Sequence, residues 1–213
     1  IKSQSAAVFA NVDWEIANGL HVLPGIRFNY DEKDVVYDRR TYGGLDTATY
    51  SGTKAEKILL QGFKNSVYTN QSYVADADEN NLTYNITLAY RANKRINAYA
   101  TYSTAFKPVG VNVAGLPTIS GQPATDLAVI KPEDVKHMEF GIKTTPFENF
   151  TLNLTVYKTE ISDYQTNVQS PELGVNRGYI ANAEKVSVQG FEVDANIRVD
   201  QHFSFYGAVA YTD

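Results

Sequence analysis

The stretch from Lys131 to Gln165, KPEDVKHMEFGIKTTPFENFTLNLTVYKTEISDYQ, contains two alternating runs joined by a very short break. The apolar members of the first run are Met138, Phe140 and Ile142, and those of the second are Phe150, Leu152, Leu154 and Val156. A period of two residues is typical of a β-strand with one apolar and one polar face. The stretch therefore predicts two antiparallel strands joined by a turn at Pro146–Asn149.

Three further hairpins follow the same plan, so the sequence predicts about eight strands in four hairpins. Their strands span residues 5–16 and 20–28, 82–90 and 96–102, and 184–199 and 203–211. Their turns lie at Asn18-Gly19, Asn93-Lys94 and Asp200–His202. Pro24 is an anomaly within this pattern because it has no N–H to donate, which indicates an edge or a bulge.

The last hairpin changes phase within its first strand. Val186 and Val188 occupy even positions, whereas Phe191 and Val193 occupy odd ones. An extra residue in one strand would return both pairs to the same face, and glycine suits such a kink. We therefore expect a one-residue bulge at Gln189-Gly190.

Long irregular segments separate the hairpins, at residues 31–81, 107–134 and 165–177. Short and long connections therefore alternate along the chain. A structureless loop as long as the first counts against a compact soluble domain. Long loops at one end and short turns at the other are typical of outer-membrane barrels. The alternation favours an up-and-down antiparallel transmembrane β-barrel over a soluble sandwich.

Composition excludes several classes of protein. The chain has 213 residues, no cysteine, a formal net charge of -5 and 12% aromatic residues, fifteen of which are tyrosine. Without cysteine there is no disulfide framework and no thiolate metal site. The mild acidity argues against a nucleic-acid surface. Because Ile1 is not an initiating methionine, we expect the chain to be part of a larger protein.

Few residues suggest chemistry, and we predict no enzyme activity and no cofactor. His21, His137 and His202 lie on separate hairpins without a second ligand at metal-binding spacing. The acidic group Asp76, Asp78 and Glu79 could bind calcium through oxygen ligands, although a solvated loop tip is the favoured interpretation. No hydrolase, metalloprotease or nucleotide-binding motif is present in the sequence.

The polar faces of the predicted strands carry charged residues. These are Arg27, Glu139, Lys143, Glu192, Asp194 and Arg198. In a barrel they would line a polar lumen and contact a plug, whereas in a sandwich they would face solvent. Trp14, beside the first turn, suits an aromatic girdle at a membrane interface.

Five segments resemble, in order and with fitting gaps, the sequence signatures of TonB-dependent outer-membrane receptors. They are Tyr102–Pro108 (YSTAFKP), Lys131–Glu133 (KPE), Glu139–Lys143 (EFGIK), the strand from Val156 to Gln165 (ending DYQ), and Asn182–Val186 with Gln189–Glu192 (NAEKV and QGFE). Each match is weakly specific alone, and their common order makes the resemblance strong. It covers residues 95–213, whereas the first 90 residues share only the general pattern.

The resemblance implies that residues 1–213 form part of one receptor barrel domain of about 22 strands, with the plug domain outside this sequence. It implies a place in the outer membrane of a Gram-negative bacterium, in contact with its lipid, and energy supplied by TonB, ExbB and ExbD. The implied function is active import of a scarce solute, first an iron-siderophore complex, with cobalamin, haem or carbohydrate open. A passive porin or structural barrel is the alternative class, and a soluble β-sandwich hydrolase or lectin comes last.

Ligand contacts are expected at loop residues, where aromatic and amide groups suit siderophore or sugar recognition. The candidates are Tyr50, Tyr68, Tyr73, Phe106, Asn112 and Asn176.

Two geometric expectations follow from the barrel interpretation. Side chains predicted to point outward are Met138, Phe140, Leu152, Leu154, Leu88 and Ile96, and those predicted to point inward are Glu139, Asn153 and Asn85. Eight strands carry too many large inward groups for a narrow closed lumen. We therefore expect the chain to stay open, with Ser5–Ile16 and Phe203–Tyr211 as its edges.

Overall fold

The computed structural model describes residues 1–40, 49–67, 70–119, 122–169 and 178–213. In these ranges most of the chain is in strands. They are β1 (Lys2–Asn11), β2 (Trp14–Ala17), β3 (Leu20–Arg39), β4 (Gln71–Asn93), β5 (Ile96–Lys107), β6 (Gly110–Val111), β7 (Thr118–Ile119), β8 (Gln122–Pro123), β9 (Val129–Ile130), β10 (Glu133–Phe147), β11 (Phe150–Gln169), β12 (Gly178–Arg198) and β13 (Ser204–Thr212). A helix, α1 (Lys54–Val67), and a 3₁₀ turn at Thr125–Leu127 complete the elements.

One antiparallel sheet contains all the long strands, in the order β1-β3-β4-β5-β10-β11-β12-β13. Strand β2 also pairs with β3, so β1 and β2 act as one interrupted strand. Every long strand pairs with its neighbour in the chain, which confirms the predicted up-and-down plan of four hairpins. The sheet is an open fragment of a barrel, because β1 and β13 lie at its two ends and do not pair with each other among the described residues.

The interruption between β1 and β2 lies opposite Pro24. Asn11 pairs with Gly25 and Trp14 pairs with Val22, so the pairing gap spans the positions facing Leu23 and Pro24. The N–H of Val12 still donates to the carbonyl of Pro24 at 3.1 Å. The predicted irregularity is therefore present as a gap in the neighbouring strand, where Pro24 has no donor to offer.

The two faces of the sheet separate polar from apolar residues. On one face the Tyr99 hydroxyl donates to Glu139 at 2.7 Å, and the Asn153 amide donates to Asp194 at 3.0 Å. On the other face Met138 and Phe140 line a common groove with apolar residues of β4 and β11. The alternation predicted from the sequence is confirmed.

The polar face is the concave one. The described residues 108–119 and 122–132, here called the inner loop, contact β3 and β4 on one side and β12 on the other. Strands β5, β10 and β11 lie between β4 and β12 in the sheet, which at about 4.8 Å per strand separates these two by roughly 19 Å along the surface. A single loop reaches both only by crossing the inside of a curved sheet. Glu139 and Asn153 therefore face the lumen, and Met138 and Phe140 face outward.

Strand pairing extends beyond the predicted ends, so the prediction of an irregular 31–81 segment is wrong at both ends, while residues 41–48, 68 and 69 lie outside the described residues. β3 continues to Arg39 and pairs with β4 from Gln71 onward. The reason is a reversal of phase: in this extension the apolar side chains Val35, Tyr73 and Ala75 lie on the inner face, where the inner loop covers them. Likewise β11 runs to Gln169 and β12 begins at Gly178, so the predicted third irregular segment is wrong for residues 165–169, and its remaining residues lie outside the described ones.

The predicted bulge at Gln189-Gly190 is also wrong. The register between β11 and β12 is unbroken from Phe150↔Ile197 to Ser162↔Lys185. Val186 and Val188 therefore share the inner face with Thr159 and stay there. They lie toward the long-loop end of the strand, where the lipid no longer requires apolar residues to point outward.

Helix α1 lies in the connection between β3 and β4 and begins with a capping box. Thr53 and Glu56 bond reciprocally, with the Thr53 N–H donating to Glu56 at 2.7 Å and the Glu56 N–H donating to the Thr53 hydroxyl at 3.3 Å. This arrangement satisfies donors that a helix N-terminus otherwise leaves free. No helix among the described residues is long and apolar enough to cross a membrane.

An arginine introduced on one face or the other distinguishes the lipid-facing side of the sheet from the lumen-facing side. Leu154→Arg puts a cation on the outward face and is expected to cost about 2–4 kcal/mol near the bilayer midplane. Asn153→Arg, on the inner face beside Asp194, is expected to cost much less. Folding titrations of the complete receptor into lipid vesicles measure both, and equal costs would contradict the assignment of faces.

Candidate functional site

Four of the sequence segments that carry the family resemblance meet at one place, here called the motif junction. It consists of the side chains of Lys107, Glu133, Gln165 and Asn182 with the backbone of Pro108, Lys131 and Asp163. The residues come from the ends of β5, β10, β11 and β12, where the inner loop leaves and rejoins the sheet. The sequence segments are thus explained by a single structural task, which is to fasten both ends of the inner loop.

Glu133 is the centre of the motif junction. Its side chain is only 7% exposed, and one carboxylate oxygen accepts from the Lys107 ammonium at 3.0 Å and from the Gln165 N–H at 2.7 Å. A buried carboxylate is costly unless it is paired and hydrogen-bonded, and both conditions are met here. The first residue of β10 is therefore tied to the last residue of β5 and to β11.

Two side-chain amides hold the loop backbone. The Gln165 amide donates to the carbonyls of Pro108 at 3.1 Å and Lys131 at 2.9 Å. The Asn182 amide donates to the carbonyls of Lys131 at 2.9 Å and Asp163 at 2.6 Å, and its oxygen accepts from the Lys131 N–H at 3.0 Å. Asp163 has φ +51°, a left-handed conformation that aspartate tolerates better than most residues.

The middle of the inner loop packs on the β3–β4 extension. Tyr73, Ala75, Leu116 and Ala128 form a buried cluster, and the Tyr73 ring stacks on Tyr37 with centroids 4.7 Å apart. The Tyr73 hydroxyl donates to the carbonyl of Asn112. Burial raises the pKa of Tyr73 to about 12, with a further contribution from the neighbouring Tyr37. The phenol therefore stays protonated and acts as a hydrogen-bond donor.

Two buried amides complete the attachment of the loop at its two sides. Gln71 is bonded to both backbone groups of Leu116, donating to the carbonyl at 2.8 Å and accepting from the N–H at 2.7 Å. Asn112 is bonded to both backbone groups of Ile180 on β12, donating at 2.9 Å and accepting at 2.8 Å. The inner loop is therefore anchored to β4 and to β12 by the same kind of paired amide contact.

Near the start of the loop, two charged residues hold Val109. The Lys33 ammonium donates to its carbonyl at 2.6 Å, and its N–H donates to Glu79 at 2.7 Å. Burial raises the pKa of Glu79 despite this hydrogen bond. Among the described residues, the second Glu79 carboxylate oxygen is buried without a hydrogen-bond partner.

The acidic group in β4 is not a solvated loop tip, and that interpretation is wrong. Asp76, Asp78 and Glu79 all lie within β4, with Glu79 on the inner face and the two aspartates exposed on the outer one. Strand alternation therefore separates the Glu79 carboxyl group from those of the two aspartates. Throughout the described ranges, no group of three or more histidine, aspartate or glutamate side chains could hold a metal ion.

The predicted ligand contacts fall in different environments. Tyr73 and Asn112 come together, both buried and bonded to each other through the Asn112 carbonyl. Tyr50 is 41% exposed in the β3–β4 connection. Phe106, near the end of β5, is half-buried on the outward face by its strand position, and Tyr68 and Asn176 lie outside the described residues. Sequence reasoning missed Gln71, Gln165 and Asn182, although the last two stand inside the quoted segments.

Below the inner loop, the lumen face carries a chain of polar contacts across β5, β10 and β11. Glu139 accepts from Tyr99 at 2.7 Å and lies 3.4 Å from His137, whose other ring nitrogen lies 2.9 Å from the Thr159 hydroxyl. The Lys143 ammonium lies 5.6 Å from the Tyr99 ring centre. This face therefore presents hydrogen-bond donors and acceptors, and both positive and negative side chains, to the lumen.

The chain is similar in sequence and in fold to known proteins. A family model described as TonB dependent receptor-like, beta-barrel matches residues 1–213. The sequence is 25% identical over 142 residues to the "Probable TonB-dependent siderophore receptor PiuA" of Acinetobacter baumannii, a match covering 67% of this chain and 18% of that protein.

Two solved structures show the same fold. The ferric yersiniabactin uptake receptor FyuA from Yersinia pestis superposes with a TM-score of 0.70 at 15% identity, over 99% of this chain and 27% of that one. The copper transporter OprC gives a TM-score of 0.71 at 12% identity, over 99% and 29%. The chain thus spans less than a third of each of these three proteins.

Loss of one junction amide should loosen the inner loop. Gln165→Ala removes the donor to the carbonyls of Pro108 and Lys131, and leaving such groups unpaired costs about 1–3 kcal/mol. Hydrogen exchange in residues 108–119 of the complete receptor should become faster, by about tenfold or more. Gln189→Ala, at an exposed outward position of β12, is the matched control. Unchanged exchange in Gln165→Ala would contradict the anchoring role.

Tyr73 gives the loop a defined pH dependence. Because burial raises its pKa from 10.0 to about 12, its contribution to stability is complete below pH 10 and is lost as the pH rises through about 12. The phenolate absorbance of the Tyr73→Phe variant is subtracted from that of the wild type. In the folded receptor this difference should show one tyrosine with a pKa of about 12. The same difference in denatured protein should titrate near 10, and a single value in both states would refute the prediction.

Proposed function

The chain belongs to the TonB-dependent receptor-like β-barrel family of the outer membrane, and from this premise we propose that the complete receptor imports a ferric siderophore. The family consists of transport receptors, and we propose transport without enzyme activity. The observation that carries the choice of cargo is the sequence relative named a probable siderophore receptor, which matches two thirds of the chain.

The inner loop supports gated import over a passive pore. It crosses the concave face from β4 to β12 and is bonded at both sides through Gln71 and Asn112. A loop in this position narrows the outer mouth of the lumen. A solute as large as a siderophore complex would then pass only when other parts of the receptor move.

We propose that capture occurs on the loop surface at the outer end of the barrel. Tyr50 is the most accessible of the candidate contacts that the structure describes, and an aromatic side chain suits the planar groups of a chelated metal complex. Tyr73 and Asn112 hold the surface in place from below. Tyr68, Phe106 and Asn176 remain further candidates for contact with the cargo.

Movement of the cargo would require partners outside this chain. We propose a plug domain of the same receptor within the lumen, contacting the polar face at residues such as Glu139 and Lys143, and energy from the TonB–ExbB–ExbD complex. The lumen face supports this because its charged and hydrogen-bonding groups match a polar protein surface.

Uptake measurements test the proposal. A strain that lacks the receptor should fail to accumulate radioactive iron supplied with its siderophores, and the complete receptor should restore accumulation only when TonB is present. Tyr50→Ala should raise the half-saturating concentration by about fivefold, the effect of losing one moderate aromatic contact. Its matched control is Tyr90→Phe, at an outward position near a short turn.

The same cells distinguish the alternatives. Restoration by cobalamin, haem or carbohydrate uptake, with no effect on iron, would replace the proposed cargo. Solute entry that persists without TonB would indicate a passive porin or structural barrel and would overturn active import.

A further inference from the structure

The start of the inner loop is attached through a charged group that lacks a compensating partner. At Val109 the carbonyl accepts from the Lys33 ammonium at 2.6 Å, and the N–H donates to Glu79 at 2.7 Å. Farther along the loop, the anchors Gln71 and Asn112 are neutral amides. Glu79 carries a charge, yet among the described residues it forms no ion pair.

Glu133 shows the contrasting case at the other end of the loop. It is a buried carboxylate as well, but one of its oxygens accepts from the Lys107 ammonium at 3.0 Å and from the Gln165 N–H at 2.7 Å. A buried charge is stabilised only when it is paired in this way. The attachment at Glu79 is therefore the weaker of the two.

A second carboxylate faces Glu79 on the inner side of the sheet. Asp31 on β3 is its direct cross-strand partner, and such partners have Cβ atoms about 4.5–5.5 Å apart. Both side chains lie on the inner face, because Glu79 bonds to the inner loop and cross-strand partners point to the same side. Like charges that face each other directly across two strands destabilise the pair.

The groups around Glu79 do not neutralise its charge. Asp31 and, on β10, Asp134 are both negative and act against it. Lys33 and Lys107 are bonded elsewhere, to the loop backbone and to another carboxylate. The parts of the inner loop that contact β4, namely β6, β8 and β9, contain no charged residue.

The Asp31–Glu79 row lies beyond the lipid-facing part of the sheet. Its outward neighbours Glu32 and Asp78 are also carboxylates and lie opposite each other. Lipid does not tolerate such a pair, whereas water does. The row is therefore at the outer mouth, where protons from the surrounding medium can reach it.

Burial, and then the charges of Asp31 and Asp134, raise the pKa of the Glu79 carboxyl above its ordinary value of 4.5. The Val109 N–H and the Asn81 side chain lower this pKa without cancelling the increase. Stability from a group of this kind is complete below its ordinary pKa and is lost as the pH rises through its value in the folded protein. The contact with Val109 is therefore tighter in acid than at neutral pH.

We propose that Asp31 and Glu79 together form a proton-dependent release point for the start of the inner loop. When both carboxylates are charged, their repulsion opposes the hydrogen bond from Val109, and the start of the loop opens readily. When a proton from the medium binds to Glu79, the new hydroxyl donates to an Asp31 oxygen. The other Glu79 oxygen still accepts from Val109, so the loop closes.

The release point deepens the gated import proposed above, since opening this contact would free one side of the loop that narrows the mouth. It rests on that proposal only for its consequence in transport. Attachment of the loop is measurable without any cargo, so failure of the release point and failure of the proposed function are distinguishable.

Hydrogen exchange at Val109 in the complete receptor measures the release point directly, because its N–H is the one that Glu79 holds. Protection is the ratio of the intrinsic to the observed exchange rate at the same pH. It should be about two- to fivefold greater at about pH 4.5 than at about pH 7.5, the effect of relieving one like-charge pair across strands. Equal protection at both pH values, or greater protection at the higher one, would overturn the proposal.

Glu79→Gln separates the charge of this residue from its hydrogen bonding. The new amide accepts from Val109 through its oxygen and donates to Asp31 through its nitrogen. Protection at about pH 7.5 should therefore rise by about two- to fivefold, and the difference between the two pH values should disappear. Asp78→Asn, at the neighbouring exposed outward position of β4, is the matched control and should change neither quantity. Lower protection at both pH values in Glu79→Gln would identify Glu79 as a simple anchor and refute the release point.

Asp31→Asn tests whether the two carboxylates act as a pair. This variant should also raise protection of Val109 at about pH 7.5, because it removes the same repulsion by about two- to fivefold. Glu79→Gln combined with Asp31→Asn should then give less than the product of the two single effects. Fully independent effects, or no effect of Asp31→Asn, would contradict the pair.

Discussion

Every backbone N–H and C=O group inside a bilayer must find its partner within the protein, since lipid offers none. In this chain the requirement is met by antiparallel pairing between consecutive strands, with an unshifted register from β11 through β13. Side-chain direction then follows without further choice, because a slip of one residue would exchange the two faces. The outward apolar face, here called the apolar belt, the polar lumen face and the open edges all depend on this pairing.

The pairing itself continues beyond the apolar belt, while the use of the two faces reverses. Within the belt, residues such as Leu154 point outward. In the β3–β4 extension the apolar residues Val35 and Tyr73 point inward onto the inner loop. The solvent outside the sheet changes from lipid to water, and the side that must be apolar changes with it.

This reversal explains which predictions succeeded from sequence. Alternation around Met138–Val156 indicated strands, faces and topology because lipid imposes one simple rule there. The same rule mistook residues 31–39 for a loop and produced a bulge at Gln189-Gly190, since the apolar phase had changed while the strand had not. The roles of Gln165 and Asn182 could not be predicted, because their partners are backbone carbonyls of Pro108 and Lys131 that only the folded chain brings near. The short sequence segments contained Gln165 and Asn182 but did not indicate that the two residues lie together at the motif junction.

The attachment of the inner loop to β4 and β12 makes it a cross-link between two strands of the curved sheet. The inner loop spans the concave face of the curved sheet. Gln71 fixes it to β4 at one side, and Asn112 fixes it to β12 at the other. Outward spreading of β4 and β12 is resisted by the hydrogen bonds between these strands and the inner loop. Separation of β4 from β12 therefore requires that contacts such as those of Gln71 with Leu116 or of Asn112 with Ile180 are first broken.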